Sequence, residues 1–130
     1  MSAAAQAPAI LVVDDDAFVL ITLKRVTRDV PARMVFASNL KEAWAAVNAE
    51  LPELVIADYR LPDGDGLGFI EKLQLKHPGL KCVLHTGEAV SRTAVGLDIP
   101  VLGKPCPPET LRELILGVLN DLSAGRPSKS

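Results

Sequence analysis

Short, almost wholly apolar runs recur along this chain, each separated from the next by room for one amphipathic segment. They fall at 10–13 (ILVV), 34–37 (MVFA), 54–57 (LVIA), 82–85 (CVLH) and 100–102 (PVL). Runs this short that are apolar almost throughout, rather than alternating, predict strands buried on both faces. Asp16 can cap a first helix running to about Asp29, with Val19, Leu23, Val26 and Val30 on one face. Ser38 can cap a second over 40–50, with Leu40, Ala43, Trp44 and Val47 inward. The turn-rich LPDGDG at 61–66 leads into a third helix over 67–76, stopped by His77-Pro78-Gly79. Pro107-Pro108-Glu109 opens a last helix to about Leu122, with Leu111, Leu114, Ile115, Val118 and Leu122 inward. Strand and helix thus alternate, which predicts an α/β fold with a doubly wound, five-stranded parallel sheet covered on both faces.

Residues 1–8 read as a disordered leader, 9–122 as one domain and 123–130 as a flexible tail. The net charge of −2 gives no basic excess for a general nucleic-acid surface. Cys82 and Cys106 are too few for a disulfide framework and read as reduced thiols. The start carries no basic segment before its apolar run, and no stretch approaches the roughly 20 apolar residues of a membrane span. A cytoplasmic protein without membrane insertion is the expectation.

In doubly wound sheets the working site lies at the carboxyl ends of the strands. Here the first strand ends in Asp14-Asp15-Asp16, the third in Asp58, the fourth in Thr86 and the fifth, after Gly103, in Lys104. Carboxylates gathered on one rim repel one another and favour a hard cation. An all-oxygen set suits Mg²⁺. Lys104 can neutralise the remaining charge. A metal, an ammonium and a hydroxyl are also what the equatorial oxygens of a transferring phosphoryl group require. A central carboxylate can serve as nucleophile and form an acyl phosphate.

The segments ILVVDDD (10–16), LVIADYRLPDGDG (54–66), VLHTGE (83–88) and VLGKP (101–105) resemble the four signature segments of two-component response-regulator receiver domains. That resemblance runs from about Ile10 to Leu122 and implies a (βα)5 flavodoxin-like receiver fold. It implies Asp58 as the phosphoacceptor and Asp14 and Asp15 as the acidic pair that holds Mg²⁺, with Asp15 the direct ligand and Asp14 acting largely through water. The backbone carbonyl of Arg60 matches a further metal ligand, Thr86 the switch hydroxyl and Lys104 the lysine that pairs with the phosphoryl group. The Lys104-Pro105 peptide is expected to be cis. The implied partners are a histidine kinase or histidine phosphotransfer protein and an output domain or downstream protein. The implied role is a switch rather than an enzyme of metabolic turnover.

Three departures from the family pattern stand out. Val101 occupies the position of the usual aromatic ring three residues before the lysine. The span from Thr86 to Lys104 is short, with Gly87 and Gly96 near its ends, and predicts for 87–98 a loosely held segment with a helix of at most about two turns. Its ending, GLDIPVLGKP, resembles receivers of hybrid sensor kinases more than those of transcription factors. Cys106 stands where the family often has Phe. His77 is expected as a helix cap, and His85 and Trp44 as packing residues. Phe18 and Ile21 lie off the apolar stripe of the first helix, as surface residues or as part of a docking face for a helical, histidine-bearing partner. Two competing readings are a pseudo-receiver that is never phosphorylated and a haloacid-dehalogenase-type phosphatase. The second fits poorly, because Phe18 stands where that family wants Thr or Val.

Overall fold

A computed structural model describes residues 7–87 and 99–123. Its main sheet uses β1 (Ala9–Val13), β2 (Arg33–Ala37), β3 (Leu54–Ala57), β6 (Lys81–Thr86) and β7 (Val101–Gly103). A separate two-stranded hairpin is formed by β4 (Arg60–Leu61) and β5 (Gly64–Asp65). The helices among the described residues are α1 (Ala17–Val26), α2 (Leu40–Ala49), α3 (Gly66–Lys76) and α4 (Pro108–Ser123). The main sheet runs in the order β2-β1-β3-β6-β7 with every pairing parallel. The chain therefore winds outward in both directions from the centre, as the alternation predicts.

The two faces of the sheet divide the core by strand parity. Leu11, Val13, Val55, Ala57, Cys82 and Leu84 pack beneath α2 and α3, against Ala43, Val47, Phe69, Ile70 and Leu73. Ile10, Val12, Leu54, Ile56 and Val83 face α1 and α4, against Leu23, Leu111, Ile115 and Val118. Trp44 meets Phe69 edge-on, with ring centroids 4.7 Å apart, and joins α2 to α3. His77 is the C-cap of α3, its N–H donating to the Leu73 carbonyl. Phe18 and Ile21 are exposed on α1.

Several local expectations need correction. The first helix ends at Val26 rather than near Asp29. Thr27 is its C-cap, where the backbone leaves the helical region (φ −107°, ψ 10°), and its N–H (3.0 Å) and hydroxyl (2.6 Å) both donate to the Leu23 carbonyl. Val30 is buried, but in the turn that follows. Asn39, not Ser38, caps α2 by accepting the Glu42 N–H at 2.8 Å. Ser38 instead donates its N–H and hydroxyl to the Glu42 carboxylate, the return half of a capping box shifted by one residue. On α4 the inward position is Leu119, whereas Leu122 is 41% exposed. The loop at 61–66 contains an ordered hairpin. Ala7 and Pro8, assigned to the leader, accept hydrogen bonds from Arg33 through their carbonyls. The expectation for 87–98 falls, from residue 88 on, outside the described residues.

Candidate functional site

The strand ladders continue for one residue past the carboxyl ends, and this places the site. The N–H of Asp14 donates to the Ala37 carbonyl at 3.0 Å, that of Asp58 to Val13 at 2.9 Å, and that of Lys104 to Thr86 at 2.9 Å. Two carboxylates and an ammonium thus leave the sheet from backbone held by its own hydrogen bonds, which is how a site acquires fixed geometry. Asp16, next in the acidic triplet, turns away to cap α1, accepting the Phe18 N–H at 2.9 Å.

At the rim, the Lys104 ammonium donates to Asp14 Oδ2 at 2.8 Å and to Asp58 Oδ2 at 3.1 Å. Asp14 Oδ1 accepts the Asp16 N–H at 2.9 Å. One oxygen each from Asp14, Asp15 and Asp58 lies within 4.8 Å of the others. With all three ionised, three carboxylates face a single lysine, so two negative charges remain uncompensated. An all-oxygen cluster with that excess fits a hard divalent cation such as Mg²⁺. The three carboxylates differ in burial. Asp14 is buried, Asp58 half-buried and Asp15 exposed, so Asp15 is open to an incoming ion while Asp14 is already engaged by Lys104. Arg60 lies two residues beyond Asp58, in β4. Thr86 is buried at the end of β6, beside β7 in the ladder.

The electrostatics follow from this packing. Burial raises the Asp14 carboxyl above its ordinary range, against the opposing hydrogen bonds from Lys104 and the Asp16 N–H. Burial works against the Lys104 ammonium, but Asp14 and Asp58 outweigh it and hold Lys104 above the usual lysine value. An acid with a raised folded value binds its proton more readily folded than unfolded. Its contribution therefore favours the fold at low pH and is lost as pH rises from the ordinary carboxylate range through the raised value. Asp14→Asn, neutral and nearly isosteric, is accordingly expected to raise the melting temperature of the metal-free domain at neutral pH. The gain should shrink as pH falls into the carboxylate range. Thermal melts of both proteins in chelator across that range check this, and a variant less stable than wild type at neutral pH would contradict it.

Among residues not assigned a role from sequence, Gly66 matters most. A Cβ there would lie 1.9 Å from the Asp58 carbonyl oxygen, so only glycine lets α3 begin against the backbone of Asp58. Asp65 caps the same helix, accepting the Gly68 N–H at 2.6 Å. Both occur in the LPDGDG turn, whose composition marks a loop but not its contacts. Lys104-Pro105 is cis. Behind Lys104 and Pro105 is a cavity of about 430 Å³ between α1 and α4, also lined by Phe18, His85, Cys106 and Leu111. His85 is buried there on the α1/α4 side, as a packing residue of its strand, and its Nε2 has no hydrogen-bond partner. Burial, then the Lys104 charge, lowers its pKa, which keeps the ring neutral near pH 7. Cys82 is an inert core thiol, pushed up to about 12 by burial. Val101 packs partly buried against the α2/α3 side of the core.

Comparison with known proteins bears on this site. The family described as response regulator receiver domain matches residues 10–116. A protein-glutamate methylesterase/protein-glutamine glutaminase of Cereibacter sphaeroides is 33% identical over 111 residues, which cover 79% of this chain and 30% of the relative. The response regulator protein PilR of Pseudomonas aeruginosa is 32% identical over 117 residues, covering 84% and 25% respectively. The chain therefore spans under a third of these relatives' length. Among solved structures, a CheY-like response regulator receiver domain protein from Methanospirillum hungatei JF-1 superposes with a TM-score of 0.78 at 28% identity, covering 92% of this chain and 99% of that one. No helix of the described residues is long and apolar enough to cross a membrane.

Proposed function

This chain belongs to the response regulator receiver domain family of two-component signalling, and from that footing we propose that it is a cytoplasmic phosphorelay switch whose phosphoacceptor is Asp58. The observation that carries the reading is the convergence of Asp14, Asp15 and Asp58 within 4.8 Å, with one ammonium bonded to two of them. In this reading the donor is a phosphohistidine on a sensor kinase or histidine phosphotransfer protein. A carboxylate oxygen of Asp58 attacks phosphorus in line, the phosphorus–nitrogen bond breaks, and the imidazole leaves.

The carboxylates of Asp14, Asp15 and Asp58 and the carbonyl of Arg60 would hold Mg²⁺, which when bound offsets negative charge on the phosphoryl oxygens. Lys104, already at the Asp58 carboxylate, pairs with one of those oxygens. The Thr86 hydroxyl donates to another and draws the end of β6 toward the acceptor. Water later cleaves the acyl phosphate and restores the carboxylate. With Val101 in place of a ring, the signal leaves through backbone shifts after Thr86, toward an output partner on the same polypeptide or a separate one.

The test is Mg²⁺ and beryllofluoride titration followed by amide chemical shifts. Saturable binding of both, with shifts at Thr86 and Lys104, is expected. Binding of neither would make the chain an interaction module that phosphorylation does not control. In the same titration Asp15→Asn should weaken Mg²⁺ about tenfold and Asp14→Asn less, since a ligand that works through water is partly replaced by solvent. The reverse order would exchange their roles.

A further inference from the structure

We propose that Asp63 is a positioning residue of the phosphorylation site: its carboxylate ties the tip of the loop carrying Asp58 and Arg60 to the amino end of α2, and this tie keeps the loop in the shape that binds the divalent cation. The inference rests on the reading of Asp58 and Arg60 given above. The loop leaves the sheet at Asp58, folds into the β4–β5 hairpin and enters α3 at Gly66. Its α3 end is anchored locally. The Gly66 N–H donates to the Tyr59 carbonyl at 2.7 Å, and Asp65 caps α3. Those bonds do not reach the tip.

The tip is held from across the site. The two oxygens of Asp63 accept the N–H groups of Leu40 at 2.8 Å and Lys41 at 3.0 Å. These are the first two orphan donors of α2, and Asn39 accepts the third, from Glu42, at 2.8 Å. The donors hold the Asp63 carboxyl below the usual carboxylate range. A charged acceptor at a helix amino terminus is the favourable arrangement. Gly64 presses the same contact. Its φ of 150° suits glycine, and a Cβ there would lie 2.7 Å from Leu40 Cδ1, so the hairpin lies flat against α2. Arg60 pairs with Asp65 and Leu61 with Gly64, so movement of the tip passes along a two-rung ladder to Arg60. Asp63 is therefore more than a cap for α2, because it joins that helix to the segment that supplies a metal ligand.

A residue that merely stabilises α2 and one that positions the loop are separated by a control on the same helix. Asn39→Ala removes a cap of α2 without touching the hairpin. The experiment is isothermal titration of the full chain with Mg²⁺ alone, alongside thermal melts, for wild type, Asp63→Ala, Asp63→Asn and Asn39→Ala. Asp63→Ala should raise the Mg²⁺ Kd about threefold or more, short of the loss typical of residues that touch a metal ligand directly. Asp63→Asn keeps an acceptor oxygen and should fall between the two. Asn39→Ala should lower the melting temperature and leave the Kd unchanged. The proposal is overturned if Asp63→Ala binds Mg²⁺ as wild type does, or if Asn39→Ala weakens binding equally. Wild type that binds no Mg²⁺ would sink the phosphorylation-site reading itself, whereas wild type that binds and matches Asp63→Ala would sink the tie alone.

Discussion

Asp58→Asn is expected to take up no phosphoryl group under conditions that fully label the wild type. A carboxamide keeps the size of the side chain but loses the charge that makes the oxygen a nucleophile. The backbone is indifferent to the change, since the residue is held through its N–H on the Val13 carbonyl at 2.9 Å. The variant should therefore melt cooperatively and still bind Mg²⁺ through Asp14 and Asp15, more weakly. It loses one of the two anions on Lys104 and retains the closer contact, Asp14 at 2.8 Å. Intact-mass analysis after incubation with a small phosphodonor reads the result. Labelling at the wild-type rate would move the acceptor to another carboxylate.

The largest effect on stability is expected at Gly66. Alanine there cannot be accommodated by a side-chain rotation, because the atom it meets at 1.9 Å is the Asp58 carbonyl oxygen, which is backbone. Either α3 or the loop must move, and the Gly66 N–H bond to Tyr59 moves with them. A loss of about 3 kcal/mol is expected, in the range of overpacked buried positions. Gly79→Ala is the natural contrast, since nothing lies within 4 Å of its Cβ position, and it should stay within about 0.5 kcal/mol of wild type. Urea denaturation of both variants checks the pair. Equal stability of the two would mean that the close approach at Gly66 relaxes without cost.

The strands and the rim were legible in the sequence because each depends on a local signal. A short β-branched run marks a strand, and the residue after it marks the carboxyl end, so Asp14, Asp58 and Lys104 could be placed from position alone. Helix ends were less legible where two good caps stand side by side. Ser38 and Asn39 both qualify, and only the hydrogen bonds to Glu42 distinguish them. Leu122 continued the apolar stripe of α4 by spacing, but the stripe drifts onto Leu119 as the helix passes the edge of the core. The tie from Asp63 to α2 joins residues more than 20 positions apart, and no periodicity or turn composition carries that information. Gly66 stands where the loop after Asp58 meets α3, but the reason for a glycine there appears only when α3 is packed against the Asp58 backbone.

Whether the rim is a phosphorylation site can be read on the wild-type chain itself. The chain is incubated with acetyl phosphate, with and without Mg²⁺. Intact mass is recorded, and any acyl phosphate is then located by borohydride reduction and peptide mass analysis. One added phosphoryl group, dependent on Mg²⁺ and confined to Asp58, is the expected result. No added mass in the presence of Mg²⁺, or a label on any carboxylate other than Asp58, would contradict that reading.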